Sequence, residues 1–139
     1  MKQMTLSGFA LLAFFAYGDV LADDKKKEDP VAKLKDKYTF TDTTKKCINT
    51  RLIYSTRAID DKTILFQMRG KNKFYLNEMK YKCPRLKFED RFKYTLRGGT
   101  NLCSYDVITV IDSFMNSFGS CGLGEFRKLE KRPKVAKAD

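Results

Sequence analysis

The chain has 139 residues and a formal net charge of +11, and it contains four cysteines but neither histidine nor tryptophan. The absence of histidine removes the commonest acid–base residue, a common metal ligand and the usual activator of serine or cysteine nucleophiles. The sequence also contains no P-loop, G-x-S-x-G or dinucleotide-binding motif. No familiar enzyme class is therefore indicated, and we expect no catalytic residue and no cofactor.

The first 22 residues have the layout of a secretory signal peptide. Lys2 supplies the positive charge, residues 9–16 (FALLAFFA) are apolar, and residues 20–22 (VLA) precede the polar run that starts at Asp23. The apolar stretch is shorter than the roughly 20 residues that a membrane-spanning helix needs. We therefore expect cleavage near Ala22 and a periplasmic or secreted protein without a transmembrane segment, whose remaining length suits one domain.

Two charged segments flank the central part of the chain. Residues 23–46 hold eight lysines and six acidic residues, a composition typical of a solvated linker. Residues 127–139 hold six basic and two acidic residues and are predicted to form a basic tail.

The central residues, 47–126, alternate apolar and polar side chains with a period of two, as half-buried strands do. Gly70-Lys71-Asn72 is a hairpin signal, and residues 84–91 suit one short helical turn. The pattern predicts a mainly β fold, a small antiparallel barrel or sandwich. Six short strands are expected, within residues 47–55, 63–69, 73–79, 92–96, 107–111 and 121–126.

The four cysteines are expected to form two disulfides, because an exported small domain commonly carries an even number of paired cysteines. A zinc site is disfavoured, since such sites use closely spaced cysteine pairs and no two cysteines here are closer than 18 positions. Three pairings are open. We favour Cys83–Cys103 with Cys47–Cys121, because the first and last strands of a barrel-like sheet commonly meet. The rival is sequential pairing.

The central residues resemble a family of small exported bacterial proteins that is known only as a domain of unknown function. The resemblance covers about residues 47–126, where a Gly often stands in that family at the place of Tyr105. It implies the same domain bounds and an exported location, and it supplies no catalytic residue. It rests on residues 47–50 (CINT), 60–69 (DDKTILFQMR), 74–77 (FYLN), 83–86 (CPRL), 102–108 (LCSYDVI) and 120–126 (SCGLGEF).

Two other features have a functional and a structural interpretation. Asp106 and Asp112 lie about 20 Å apart along one predicted strand, too far for a glycosidase-type carboxylate pair. For Asp106 we favour a turn-forming hydrogen bond. Gly122-Leu123-Gly124 is only a fragment of a nucleotide-binding motif, and we interpret it as a turn or a close-packing feature.

The basic residues offer the remaining functional candidates. Arg85, Lys87 and Arg91 on the folded domain, and Lys131, Arg132 and Lys134 in the tail, are candidate anion-binding residues. The alternative is that basic side chains simply point to solvent while the interleaved aromatic residues form the core. We expect a non-enzymatic structural or interaction module of the bacterial envelope. The second hypothesis is a binder of anionic envelope polymers or lipids, rather than of cytoplasmic nucleic acid, and the third is an enzyme.

Overall fold

The computed structural model describes residues 28–134, so the predicted signal peptide lies outside the described residues. Residues 30–45 are not the predicted linker. Pro30–Lys37 form helix α1, which begins where the Asp29 carboxylate accepts a hydrogen bond from the Val31 N–H at 3.0 Å. Tyr38–Lys45 then form strand β1, whose four threonines favour an extended chain. For these residues the linker prediction is wrong, because β1 pairs with a strand distant in the sequence; residues 23–27 of the predicted linker lie outside the described residues.

Ten strands are present in the described residues. They are β1 (Tyr38–Lys45), β2 (Cys47–Asn49), β3 (Ile53–Ala58), β4 (Thr63–Met68), β5 (Phe74–Glu78), β6 (Phe92–Tyr94), β7 (Asn101–Cys103), β8 (Val107–Ile111), β9 (Ser117–Gly122) and β10 (Phe126–Lys131). A 3-10 turn, Thr50–Leu52, joins β2 to β3, and a short helix α2, Leu86–Glu89, precedes β6. The predicted hairpin loop and helical turn are confirmed.

The largest sheet has five antiparallel strands in the order β1-β10-β5-β4-β3. Strand β10 therefore lies inside this sheet between β1 and β5, and residues 127–131 are not part of a free tail. The tail prediction rested on charge alone, but Phe126 and Leu129, which lie on opposite faces of this strand, are fully buried. Residues 117–120, which lie outside the six predicted strands, belong to β9, and residues 123–125, predicted to be part of the last strand, form the loop that follows it.

The alternation of side chains gives the five-stranded sheet two apolar faces. On one face, here called the helix face, Leu65, Leu76 and Leu129 pack with Leu34 of α1. On the opposite face, here called the core face, Phe66 and other large side chains pack against the rest of the molecule. Helix α1 is thus an outer layer of the fold.

Two small antiparallel sheets, β2-β7 and β6-β8-β9, cover the core face. They contribute Leu102, Ile108 and Val110, and α2 contributes Leu86; all four side chains are fully buried. The five apolar or threonine residues of β8 (VITVI) suggest a strand buried on both faces, but Val107 is 39% exposed, so one of its faces is only partly covered. The architecture is mainly β, antiparallel and sandwich-like, as expected, and the sheets do not close into a barrel.

Both cysteine pairs form disulfides, but the predicted pairing is wrong. The bonds are Cys47–Cys103 and Cys83–Cys121. The first and last strands of the structure do meet, yet they are β1 and β10, whereas Cys47 lies in β2, opposite Cys103 of β7. On the loop-entropy model each bond taken alone stabilises the fold by about 4 kcal/mol, for sequence separations of 56 and 38 residues. Neither helix of the described chain is long and apolar enough to cross a membrane.

Candidate functional site

The candidate site is a cleft on the core face, between the five-stranded sheet and the short strand β2. Its volume is about 470 Å³, within the range of small-molecule sites in proteins. Thr43 and Lys45 of β1 line it on one side, and the end of the β4–β5 hairpin lines it on the other. We call it the basic cleft.

The charge of the basic cleft is positive throughout. Four basic side chains, Lys45, Arg69, Lys73 and Lys128, line it, and none of its lining residues is acidic. Lys128 pairs with Glu130 outside the cleft at 3.2 Å. The other three form no ion pair within 4.0 Å among residues 28–134. Positive charges that lack nearby carboxylates produce a local field that attracts anions.

Tyr75 lies among the basic side chains of the cleft. Strand register places it directly opposite Lys128 and two residues from Lys73, on the same face of the sheet. The ammonium group of Lys45 lies 5.8 Å from the centroid of the Tyr75 ring, within the range of a cation–π contact. The half-buried ring is thus part of the lining of the cleft and is bordered by three lysines.

The hairpin between β4 and β5 holds Arg69 and Lys73 beside the cleft. Gly70 and Asn72 have φ values of 104° and 56°, which the tight turn requires and which glycine and asparagine adopt most readily. The Met68 N–H donates to the Lys73 carbonyl at 2.9 Å, and the Arg69 N–H donates to the Leu52 carbonyl at 2.6 Å. The second bond ties the hairpin to the 3-10 turn that follows β2.

The Cys47–Cys103 disulfide forms part of the opposite wall. Cys47 is exposed and lines the basic cleft, and its Cα lies 3.9 Å from that of Cys103. The two-stranded ribbon β2-β7 contains only three residue pairs. Because so short a ribbon is marginal by itself, the disulfide fixes the position of this wall.

The six predicted anion-binding residues form two separate groups, and neither lines the basic cleft. The α2 basic group lies at the end of the five-stranded sheet where Thr63 pairs with Glu78. The C-terminal basic group follows the other end, where Leu129 pairs with Phe74. Six residues of strand, about 20 Å, separate these ends. The α2 basic group is Arg85, Lys87 and Arg91, and the C-terminal basic group is Lys131, Arg132 and Lys134.

Two members of the α2 basic group already have partners. Arg85 pairs with Glu89, and its guanidinium lies 3.9 Å from the centroid of the Phe118 ring. The Lys87 ammonium donates to the Ala58 carbonyl at 3.0 Å. These contacts fasten α2 to neighbouring elements, and the C-terminal basic group and Arg91 remain exposed.

A second cleft, of about 360 Å³, brings two carboxylates together. Glu78 and Glu125 line it with Lys62, Lys80 and Arg127. Glu78 pairs with Lys62 at 3.6 Å, and both glutamates are exposed. Because both carboxylates are exposed to solvent, this cleft is a weaker candidate than the basic cleft.

The remaining candidates have structural roles. Asp106 accepts a hydrogen bond from the Cys103 N–H at 2.7 Å, which confirms the predicted turn. A Cβ at Gly124 would overlap the Glu78 carbonyl oxygen, which confirms the close-packing interpretation. Tyr105 has a φ of 71°, the conformation that glycine adopts without strain.

Asp112 has the one resolved pKa shift among the described residues. A hydrogen bond from the Asn116 side chain, together with backbone N–H groups of Asn116 and Phe114, lowers its pKa despite partial desolvation. The carboxylate closes the β8–β9 turn and does not line any of the clefts described above.

Sequence reasoning missed the basic cleft because its residues come from four separate segments. Lys45 lies in the supposed linker, and Lys128 lies in the supposed tail. The available signal was local: Arg69 and Lys73 flank the hairpin loop symmetrically, and Lys73 alternates with Tyr75. Their convergence with Lys45 and Lys128 depends on β1–β10 pairing, which no local pattern indicates.

Comparisons with known proteins add no assignment. No family model, no curated protein and no solved structure matches this chain. Within residues 28–134 no group of three or more acidic or cysteine side chains is arranged to hold a metal ion.

Proposed function

We propose that this chain is an exported, non-enzymatic interaction module of the bacterial envelope that binds anionic polymers or lipids in the basic cleft. One observation carries the proposal: four basic side chains converge on a cleft that no carboxylate lines. Most basic residues of the described chain also lack an ion pair. The distinguishing feature of the basic cleft is that its four basic side chains line one concavity.

Export is the second part of the proposal, and it rests on the amino-terminal sequence together with the disulfides. Residues 1–22 have the layout of a signal peptide. Two disulfides hold the described domain, and such bonds form and persist in oxidising compartments. An anionic ligand in the envelope is therefore lipopolysaccharide, anionic lipid or a charged wall polymer rather than cytoplasmic nucleic acid.

The test is salt-dependent retention on immobilised heparin and on lipopolysaccharide. We define the cleft triple as Lys45→Gln with Arg69→Gln and Lys73→Gln. These three side chains are exposed and form no ion pair within 4.0 Å among residues 28–134, so their replacement should leave the fold intact. We expect the wild type to bind at low ionic strength, and the cleft triple to elute at a much lower salt concentration.

Two charge-matched controls locate the binding. The α2 triple replaces the three residues of the α2 basic group with glutamine, and the C-terminal triple does the same for the C-terminal basic group. Each variant lowers the net charge by three, as the cleft triple does. If the cleft triple and both controls elute at the same salt concentration, retention depends only on net charge. Absence of retention of the wild type at low ionic strength would refute the proposal.

A further inference from the structure

The basic cleft is lined by apolar side chains as well as by basic ones. Ile48 and Met68, which belong to the main hydrophobic cluster, line it together with Leu52 and Tyr75. The core of the protein thus reaches the floor of the cleft. A site for a hydrophilic polyelectrolyte needs cations and hydrogen-bond donors and gains nothing from such a floor.

Leu52 is the most informative of these residues. It is 50% exposed and lines the cleft. Its backbone carbonyl accepts the hydrogen bond from the Arg69 N–H, which holds it at the side of the cleft next to a cation. An isolated exposed leucine is unremarkable. An exposed leucine adjoining other apolar side chains inside a cleft is typical of a binding surface.

We infer that the ligand of the basic cleft is an anionic amphiphile, a phosphate head group carrying an acyl chain, rather than a hydrophilic polymer. The inference rests on the proposed function and specifies its ligand. The phosphate head group contacts the lysines and Arg69. Lysine attracts phosphate as a point charge, and arginine can donate two parallel hydrogen bonds to it. The chain lies over Leu52 and the apolar floor, where its methylenes leave water.

The test is calorimetric titration of the purified protein with alkyl phosphates from ethyl to octyl, each below its micelle concentration. Inorganic phosphate and heparin are the test ligands that lack an alkyl chain. We expect affinity to increase by about two- to fourfold for each added methylene until the cleft is full, the upper value corresponding to complete burial. Inorganic phosphate should bind weakly, because it lacks the chain.

Two variants separate the chain from the head group. Leu52→Asn should flatten the dependence on chain length and leave heparin binding unchanged. The cleft triple should weaken every alkyl phosphate by the same factor. Tyr54→Asn is the matched control, because Tyr54 is 69% exposed on the neighbouring strand and does not line the cleft. The Tyr54→Asn variant should retain the full dependence of affinity on alkyl chain length.

The outcomes distinguish this inference from the proposed function. Binding of phosphate and heparin without any effect of chain length would overturn the amphiphile and leave an anion-binding module. Chain-length dependence that survives equally in Leu52→Asn would place the chain elsewhere and would also overturn the inference. Failure of phosphate, heparin and all alkyl phosphates to bind would overturn both.

Discussion

Asn77→Ala tests whether one buried amide holds two sheets together. Asn77 in β5 is fully buried. Its Nδ2 donates to the Gly124 carbonyl at 2.7 Å, and its Oδ1 accepts from the Gly124 N–H at 2.9 Å. Through these bonds the loop between β9 and β10 is fastened to the five-stranded sheet. The loop approaches so closely because Gly124 has no Cβ to meet the Glu78 carbonyl.

The expected loss of stability follows from the groups left without partners. Alanine removes both hydrogen bonds and leaves the N–H and C=O of Gly124 unsatisfied, at about 1–3 kcal/mol each. Because Gly124 is half-buried and water can reach part of it, we expect a total loss of about 2–4 kcal/mol. That is a large share of the roughly 5–15 kcal/mol of a typical domain. With an m-value of about 2 kcal/mol/M, the urea midpoint should fall by about 1–2 M.

Asn101→Ala is the matched control for the urea measurement. Asn101 is exposed in β7, and its side chain forms no hydrogen bond among residues 28–134, so the change should stay within about 0.5 kcal/mol. Gly124→Ala is a second probe of the same contact. Combined with Asn77→Ala, it should destabilise by less than the sum of the two single changes. An Asn77→Ala loss no larger than that of the control would refute the reasoning.

Three further predictions concern α1, the disulfides and the β8–β9 turn. Leu34→Ala should cost about 2–3 kcal/mol of unfolding free energy in urea, because Leu34 is 8% exposed against the helix face; no loss would mean that α1 is not part of the fold. The Cys47–Cys103 disulfide should be reduced by dithiothreitol before the other one, as mass spectrometry of alkylated protein would report, because Cys47 is exposed; the reverse order would contradict this. Asp112→Ala should destabilise at pH 7 and progressively less as pH falls below about 4, because the folded-state pKa of Asp112 is lowered and its contribution is lost on protonation. Urea midpoints that differ equally at pH 7 and pH 3 would argue against it.

Local pattern was sufficient for the elements whose residues interact with near neighbours. The β4–β5 hairpin was predictable because an alternating apolar pattern flanks Gly70-Lys71-Asn72. The mainly antiparallel β class followed from the same alternation, and the number of disulfides followed from the even number of cysteines. The turn at Asp106 was predictable because its hydrogen-bond partner is three residues away.

Long-range pairing decided the rest. The threonines of β1 favour an extended chain, but the charged residues of β10 carry no strong β signal. The two segments form paired strands because each satisfies the backbone groups of the other across about 90 residues. That pairing moved the first-to-last closure away from Cys47, so the predicted disulfides were wrong. The same pairing sets Lys45 beside Lys128 and Tyr75 and so creates the basic cleft. Strand order and register determine which charged side chains come together. Both depend on contacts between residues that are far apart in the sequence.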